Sequence, residues 1–421
     1  MTNYGEQSIQ GMKTLLIRNQ GEMKMKSIRM LMTVLVVMCS FFFLTVDMSG
    51  AEVGVKNNSI KVGQSSALSG HIAFIGTNVT NGVRLYIQSI NDQGGINGRK
   101  IKLIVEDDQY KPPMTVASAK KLLTRDKIFA FTATIGTPCT AVLVPITEKK
   151  KVPHIGPLGN VSSTSYWRYT FPNFYTYYFQ ARLITDFIMN DLKATTPTIG
   201  VICQDDEIGR DFLKGYEKQR KLYGLKPVVK QIYKRGSVDF SSQVVNLKRA
   251  KCDHVVLVCT TREPAPILKE ARNLDFHPVF IGSIGVAADK VIELAEDDAK
   301  GMYCFMNQAL PNSDTPGMTQ WRKNKEKFQP KARGGFYNIW GYHSAMIMAE
   351  GIKRAGKDLT REGLVKALET FRNWESGGIM SPVTYKDGYR ESVKAGYFLI
   401  TDTKNLKWIK YTDWREPREI Q

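Results

Sequence analysis

The side chains able to do chemistry in this 421-residue chain are dispersed rather than clustered. The five histidines, His71, His154, His254, His277 and His343, never pair at metal-ligand spacing. There is no G-x-S-x-G elbow, no H-E-x-x-H, no phosphate-binding loop and no G-x-G-x-x-G. What remains is a set of polar loops at 65–75, 136–140, 156–163, 204–209, 259–263 and 282–286. Two of them lead into helices with donor hydroxyls. A helix N-terminus beside a hydroxyl can hold a carboxylate, because the first backbone N–H groups lack partners and carry partial positive charge. Such loops bind; they do not turn a substrate over. Asp205, Asp206 and Glu263 read first as solvated loop acids, with a ligand's cation as the alternative partner.

The loops matter only if strands and helices bring them together. Residues 60–64 form a strand-like run, and a small-residue loop, Ser65-Ser66-Ala67-Leu68-Ser69-Gly70, follows. Val79, Val83, Tyr86, Ile87 and Ile90 recur at helical spacing. Thr77 and Asn78 are N-cap candidates for that helix, and Gly94-Gly95 stops it. A second strand over 100–106 completes a strand–helix–strand unit, hence a parallel sheet. The alternation continues with strands at 128–134 and 152–155. After an aromatic run, YWRYTFPNFYTYY at 166–178, a second series places strands at 198–203, 228–233, 254–258, 279–282 and 301–306. Helices over 315–328, 335–355 and 360–370 come next, and 382–387 with 396–400 form a terminal hairpin-like pair. In an open parallel sheet, ligands bind beyond the carboxyl ends of the strands, where the six polar loops lie.

The opening stretch, IKVG…ALSG…NGVRLYIQSINDQGGINGRKIKLIVEDD, resembles the periplasmic leucine/isoleucine/valine-binding proteins, the receptors of branched-chain-amino-acid-type ABC importers. DFSSQVVNLKRAKCDHVVLV at 239–258 resembles the family's second lobe. The resemblance covers about residues 60 to 405. It implies an α/β type I periplasmic binding fold of two Rossmann-like lobes with the ligand cleft between them. The implied boundaries are lobe 1 at 60–178, lobe 2 at 179–306, a return to lobe 1 at 307–378, a return to lobe 2 at 379–405 and a tail at 406–421.

The resemblance also implies site positions. The family's third and fourth strand loops hold a ligand's carboxylate and amine, and the matching residues are Thr137 (hydroxyl and backbone N–H), Leu158 (carbonyl) and Asn160 (side chain). Several second-lobe and flanking positions depart from the pattern. Ile284 stands where branched-chain-amino-acid binders place an acid for the ammonium, Ile75 and Ile208 replace aromatics, and Thr260 replaces a tyrosine. Tyr337 keeps an aromatic where the family closes the side-chain pocket. An unpaired ammonium is costly to bury, so an apolar or aromatic carboxylate competes with an amino acid as ligand. Phe74, Tyr175, Tyr177 and Tyr178 either line the cleft or pack a crossing between lobes. The disulfide of some family members has no counterpart, since Tyr110 and Gly136 occupy its positions.

Composition agrees with export and binding. Hydrophobic residues make up 43% of the chain, enough for a large core, and the net charge of +19 is spread without a dense basic run or a nucleic-acid motif. Lys24, Lys26 and Arg29 precede a nearly unbroken apolar run over 31–44, and Ser49-Gly50-Ala51 offers a cleavage site. This is the layout of a cleavable signal peptide over 1–51, with Met23 as a plausible start. The apolar run is shorter than the roughly 20 residues a spanning helix needs. Cleavage leaves Cys139, Cys203, Cys252, Cys259 and Cys304; Cys203 and Cys259 lie in apolar strand runs and read as buried thiols. The expectation is a monomeric periplasmic receptor that captures an amino acid or a small carboxylate by hinge closure and serves an inner-membrane ABC permease. It needs no cofactor, no metal and no nucleic acid. A periplasmic sensing subunit is the alternative, and a secreted hydrolase the remote one.

Overall fold

The structure, a computed structural model, describes residues 52–159, 162, 166–386, 388, 390 and 395–419, with Met25 and Met32. Apart from those two methionines, the segment expected to be a signal peptide lies outside the described residues, as does Asn160. The chain divides into 1–51 and Glu52–Gln421, and two sheets occupy the second unit.

The first sheet contains β1 (Val55–Lys56), β2 (Ser59–Ser66), β3 (Lys100–Asp107), β4 (Ala130–Thr132), β5 (His154–Ile155) and β6 (Thr170–Phe171). Its order is β1-β2-β4-β5-β6, with β3 on β2. All pairs are parallel except β1 with β2. The second sheet runs β13-β12-β11-β10-β9-β7-β8. Its parallel strands are β7 (Ile199–Gln204), β8 (Val229–Tyr233), β9 (His254–Val258), β10 (Val279–Gly282) and β11 (Tyr303–Met306). β12 (Tyr397–Asp402) and β13 (Lys407–Lys410) add antiparallel at one edge. β7 is buried along its whole length, and β9 from Val255 to Val258, because helices cover both faces.

Between the strands run α1 (Ala73–Asp92), α2 (Pro112–Thr124), α3 (Thr137–Lys149), α4 (Tyr177–Asn190), α5 (Glu207–Arg220), α6 (Ser241–Arg249), α7 (Pro264–Asn273) and α8 (Asp289–Ala295). After β11 come α9 (Pro316–Phe328), α10 (Phe336–Ala355) and α11 (Arg361–Leu368). α10 packs on α1 at a backbone approach that only glycine permits. A Cβ on Gly82 would lie 1.9 Å from the Asn338 carbonyl oxygen, and one on Gly341 would lie 2.0 Å from that of Val79. The chain thus returns from the second sheet to the first after β11.

Two local readings are corrected. Thr77 and Asn78 do not cap α1: the helix begins at Ala73, one turn earlier, and the Asn78 side chain donates to the Phe74 carbonyl. Ile75 and Ile72 are buried at that end, and their packing outweighs the capping preference. The terminal pair is also shifted. Residues 382–386 form no strand, Val383 bridging to Trp374, whereas β12 pairs with β13, placing Lys407–Lys410 in the sheet rather than in a tail.

Candidate functional site

The carboxyl ends of the parallel strands of both sheets point into one cavity. Seven of the eight positions singled out by sequence, Ile75, Thr137, Leu158, Ile208, Thr260, Ile284 and Tyr337, line it together. Asn160 lies outside the described residues.

Each enters for a local reason. Ile75 stands in the first turn of α1. Thr137 opens α3 directly after Gly136, whose φ of 95° turns the chain, and Pro138 follows in the first turn, where a missing N–H costs nothing. Leu158 is fixed opposite by a bridge to Ile135 and accepts from the Gly136 N–H at 2.8 Å. Ile208 lies in the first turn of α5, whose N-cap Asp206 accepts its backbone N–H. Ile284 is 1% exposed, and its backbone N–H donates to the Gln180 Oε1 at 3.0 Å. Tyr337 donates its hydroxyl to the Gly285 carbonyl at 2.8 Å, tying α10 to the loop after β10.

Three aromatics complete the wall. Tyr177, at the start of α4, is buried and lines the cavity together with Thr137. Phe174 packs on Tyr177 and Trp340. Tyr110 reaches across from the first lobe: its hydroxyl accepts from Gln204 Nε2 at 3.2 Å, and the Arg235 guanidinium sits 4.7 Å from its ring centroid. Burial pushes the Tyr110, Tyr177 and Tyr337 hydroxyls up, so all three remain protonated donors. The aromatic run divides its work. Phe174 and Tyr177 face the cavity, while Tyr175 stacks on Phe305 and the Tyr178 N–H donates to Asp211. Phe74 stays outside this cavity, edge-on to Tyr337.

Among the described residues no acidic side chain lines the cavity. Nor are Asp206 and Glu263 the solvated loop acids that their positions suggested. Asp206 is buried and bonded to Gln204, Ile208 and Arg235. Glu263 is 2% exposed and accepts the Thr260 hydroxyl at 2.6 Å and its N–H at 3.1 Å. Burial raises both carboxyls, and the hydrogen bonds only partly offset it. The cavity is therefore an apolar chamber with hydroxyl donors at one end, where α3 begins. Sequence reasoning missed Tyr110 and Phe174 as wall residues. An aromatic just beyond β3 was the one available signal for Tyr110, and none distinguished Phe174 from its aromatic neighbours.

Among the described residues, no helix is long and apolar enough to cross a membrane, and no group of three or more His, Cys, Asp or Glu side chains is placed to hold a metal. Cys139, Cys203, Cys252, Cys259 and Cys304 are all buried, unpaired thiols.

A family model described as periplasmic binding protein matches residues 59–400. The chain is 24% identical over 318 residues to the leucine-, isoleucine-, valine-, threonine- and alanine-binding protein of Pseudomonas aeruginosa, spanning 73% of this chain and 81% of that one. It is 26% identical over 316 residues to Leu/Ile/Val-binding protein homolog 7 of Brucella abortus, spanning 70% and 77%. Among solved structures, a fatty acid ABC transporter substrate-binding protein from Thermomonospora curvata superposes with a TM-score of 0.80 at 22% identity, covering 88% of this chain and 96% of that one. A branched-chain amino acid ABC transporter protein from Thermus thermophilus with bound valine gives 0.77 at 19% identity, covering 85% and 97%. At these identities the structural likeness establishes the fold.

Proposed function

The chain belongs to the periplasmic binding protein family, and we propose that it is the extracytoplasmic receptor of an ABC importer that captures an apolar or aromatic carboxylate lacking an α-amine. The observation that carries this reading is the cavity wall: hydroxyls and a helix N-terminus at one end and, among the described residues, no acid in the lining. The ligand's carboxylate meets Thr137 and the start of α3. Its apolar body lies against Ile75, Ile208 and Ile284. An ammonium there would lack an anion, and leaving one charge of a buried pair uncompensated costs roughly 3–5 kcal/mol. Closure of the lobes buries the ligand and presents their joined surface to an inner-membrane permease. No bond of the ligand is made or broken. The protein works as an exported monomer after removal of residues 1–51.

A second reading keeps an α-amino acid as ligand. It is favoured by Glu263, one layer behind Thr260, and by the amino acids in the names of the Pseudomonas and Brucella relatives. A thermal-shift panel on residues 52–421 separates the two. Amine-free carboxylates should raise the midpoint by mass action while leucine, isoleucine and valine do not. Stabilisation by the amino acids alone would overturn the carboxylate reading.

A further inference from the structure

The inner cavity does not end at Ile75. It shares Ile72, Ile75 and Thr260 with an adjoining space at the mouth of the cleft. The lining of this vestibule is apolar at Phe74, Ala265, Pro266 and Leu294, and it carries the His71 imidazole from the first lobe and the cations Arg262 and Lys290 from the second. Among the described residues no acid lines it.

The three groups differ in their partners. Lys290 already pairs with Glu293 at 3.2 Å. Arg262 is exposed and makes no ion pair among the described residues. His71 Nε2 is buried without a hydrogen-bond partner among them. Burial and the nearby guanidiniums of Arg235 and Arg262 hold the His71 imidazole below its usual range. Arg262 and the His71 Nε2 thus border one largely apolar space, each without a partner among the described residues.

We infer that the ligand carries a second anionic group, separated from the first by an apolar spacer, and that Arg262 and His71 receive it in the vestibule while Thr137 holds the first. The ligand class is thus a dicarboxylate or a similar two-ended anion with an aliphatic or aromatic middle. This inference rests on the carboxylate reading of the inner cavity.

The test is calorimetric titration of residues 52–421 with matched pairs: hexanoate against adipate, octanoate against suberate, benzoate against terephthalate. At least one diacid should bind about tenfold or more tighter than its monoacid, as a charge-assisted hydrogen bond gives. Arg262→Gln should remove that advantage and leave monoacid binding unchanged, and Arg262→Lys should restore part of it. Arg262 is exposed, and melting curves of the free variants check that they fold. Diacids binding no better than monoacids, or Arg262→Gln weakening both alike, overturns the inference alone. Binding of branched-chain amino acids with none of the acids overturns the carboxylate reading, and this inference with it.

Discussion

Tyr110 and Gly136 occupy one space: a Cβ on residue 136 would fall 2.3 Å from Cε2 of the tyrosine, and Gly136 itself has a φ of 95°. Here a ring covers a glycine. The ring then extends to Gln204 and Arg235 of the other lobe, so the same contact that seals the loop before Thr137 also bridges the cleft. Gly136→Ala should destabilise the protein by about 1–3 kcal/mol from backbone strain alone, and further through the displaced ring. Urea melts of the single and double variants form the check. In a Tyr110→Ala background the penalty should shrink, because the steric part is gone. An undiminished penalty would place the whole cost in the backbone.

Thr137 is expected to hold ligand rather than fold. Thr137→Val keeps the shape of the helix start and removes the hydroxyl, so carboxylate affinity should fall about tenfold. The melting midpoint of the free protein should stay nearly constant. Titration calorimetry reads the first and thermal melts the second. A large loss of stability with unchanged affinity would make Thr137 a structural cap.

Ile284 sets the preference against an ammonium. Ile284→Asp places a carboxylate in the wall, which should weaken binding of amine-free acids by tenfold or more and improve that of leucine relative to them. Competition titration with both ligand types decides. Equal losses for both would show only a damaged wall.

His154 is fully buried, bonded through Nε2 to the Thr134 hydroxyl at 2.6 Å, and desolvation pushes its pKa down to about 3. The sign is opposite to that of a histidine that gains an acidic partner. Between about pH 6.5 and 3 the unfolded chain binds the proton and the folded one does not, so this residue makes stability fall as pH falls. The slope is roughly 1.4 kcal/mol per pH unit. His154→Gln should be less stable than the wild type at pH 7, and the difference should narrow steadily towards pH 4 in urea melts. A constant difference would mean that the imidazole is already charged in the folded protein.

The thiols should be silent. Burial pushes Cys139 and Cys203 up to about 12 and Cys252 up to about 11, and raises Cys259 and Cys304 well above the usual thiol range. The reactive species is the thiolate. Residues 52–421 should therefore not react with a disulfide reagent at pH 8 until unfolded, and then should release five equivalents. Rapid reaction of the native protein would reveal local opening of the sheets.

The sequence by itself determined the period and order of the elements: helical spacing from Val79 to Ile90, apolar strand runs such as His254–Val258, and the strand–helix alternation that makes both sheets parallel. Those signals are local, since each rests on neighbours within a few turns of chain. It also placed the loops that meet at the cavity, because the carboxyl ends of parallel strands share one side of a sheet. Tertiary structure decided what the local pattern could not. α1 starts at Ala73 because Ile72 and Ile75 gain more from burial than Thr77 and Asn78 gain from capping. Asp206 and Glu263 look solvated in sequence yet are buried, because Gln204, Arg235 and Thr260 arrive to bond them. The wall formed by Tyr110, Phe174 and Tyr177, and the pairing of His71 with Arg262 in the lining at the cleft mouth, bring together residues of both lobes that lie up to 191 positions apart. Contacts at that separation are set by how two lobes meet, and no periodicity in a single chain records it.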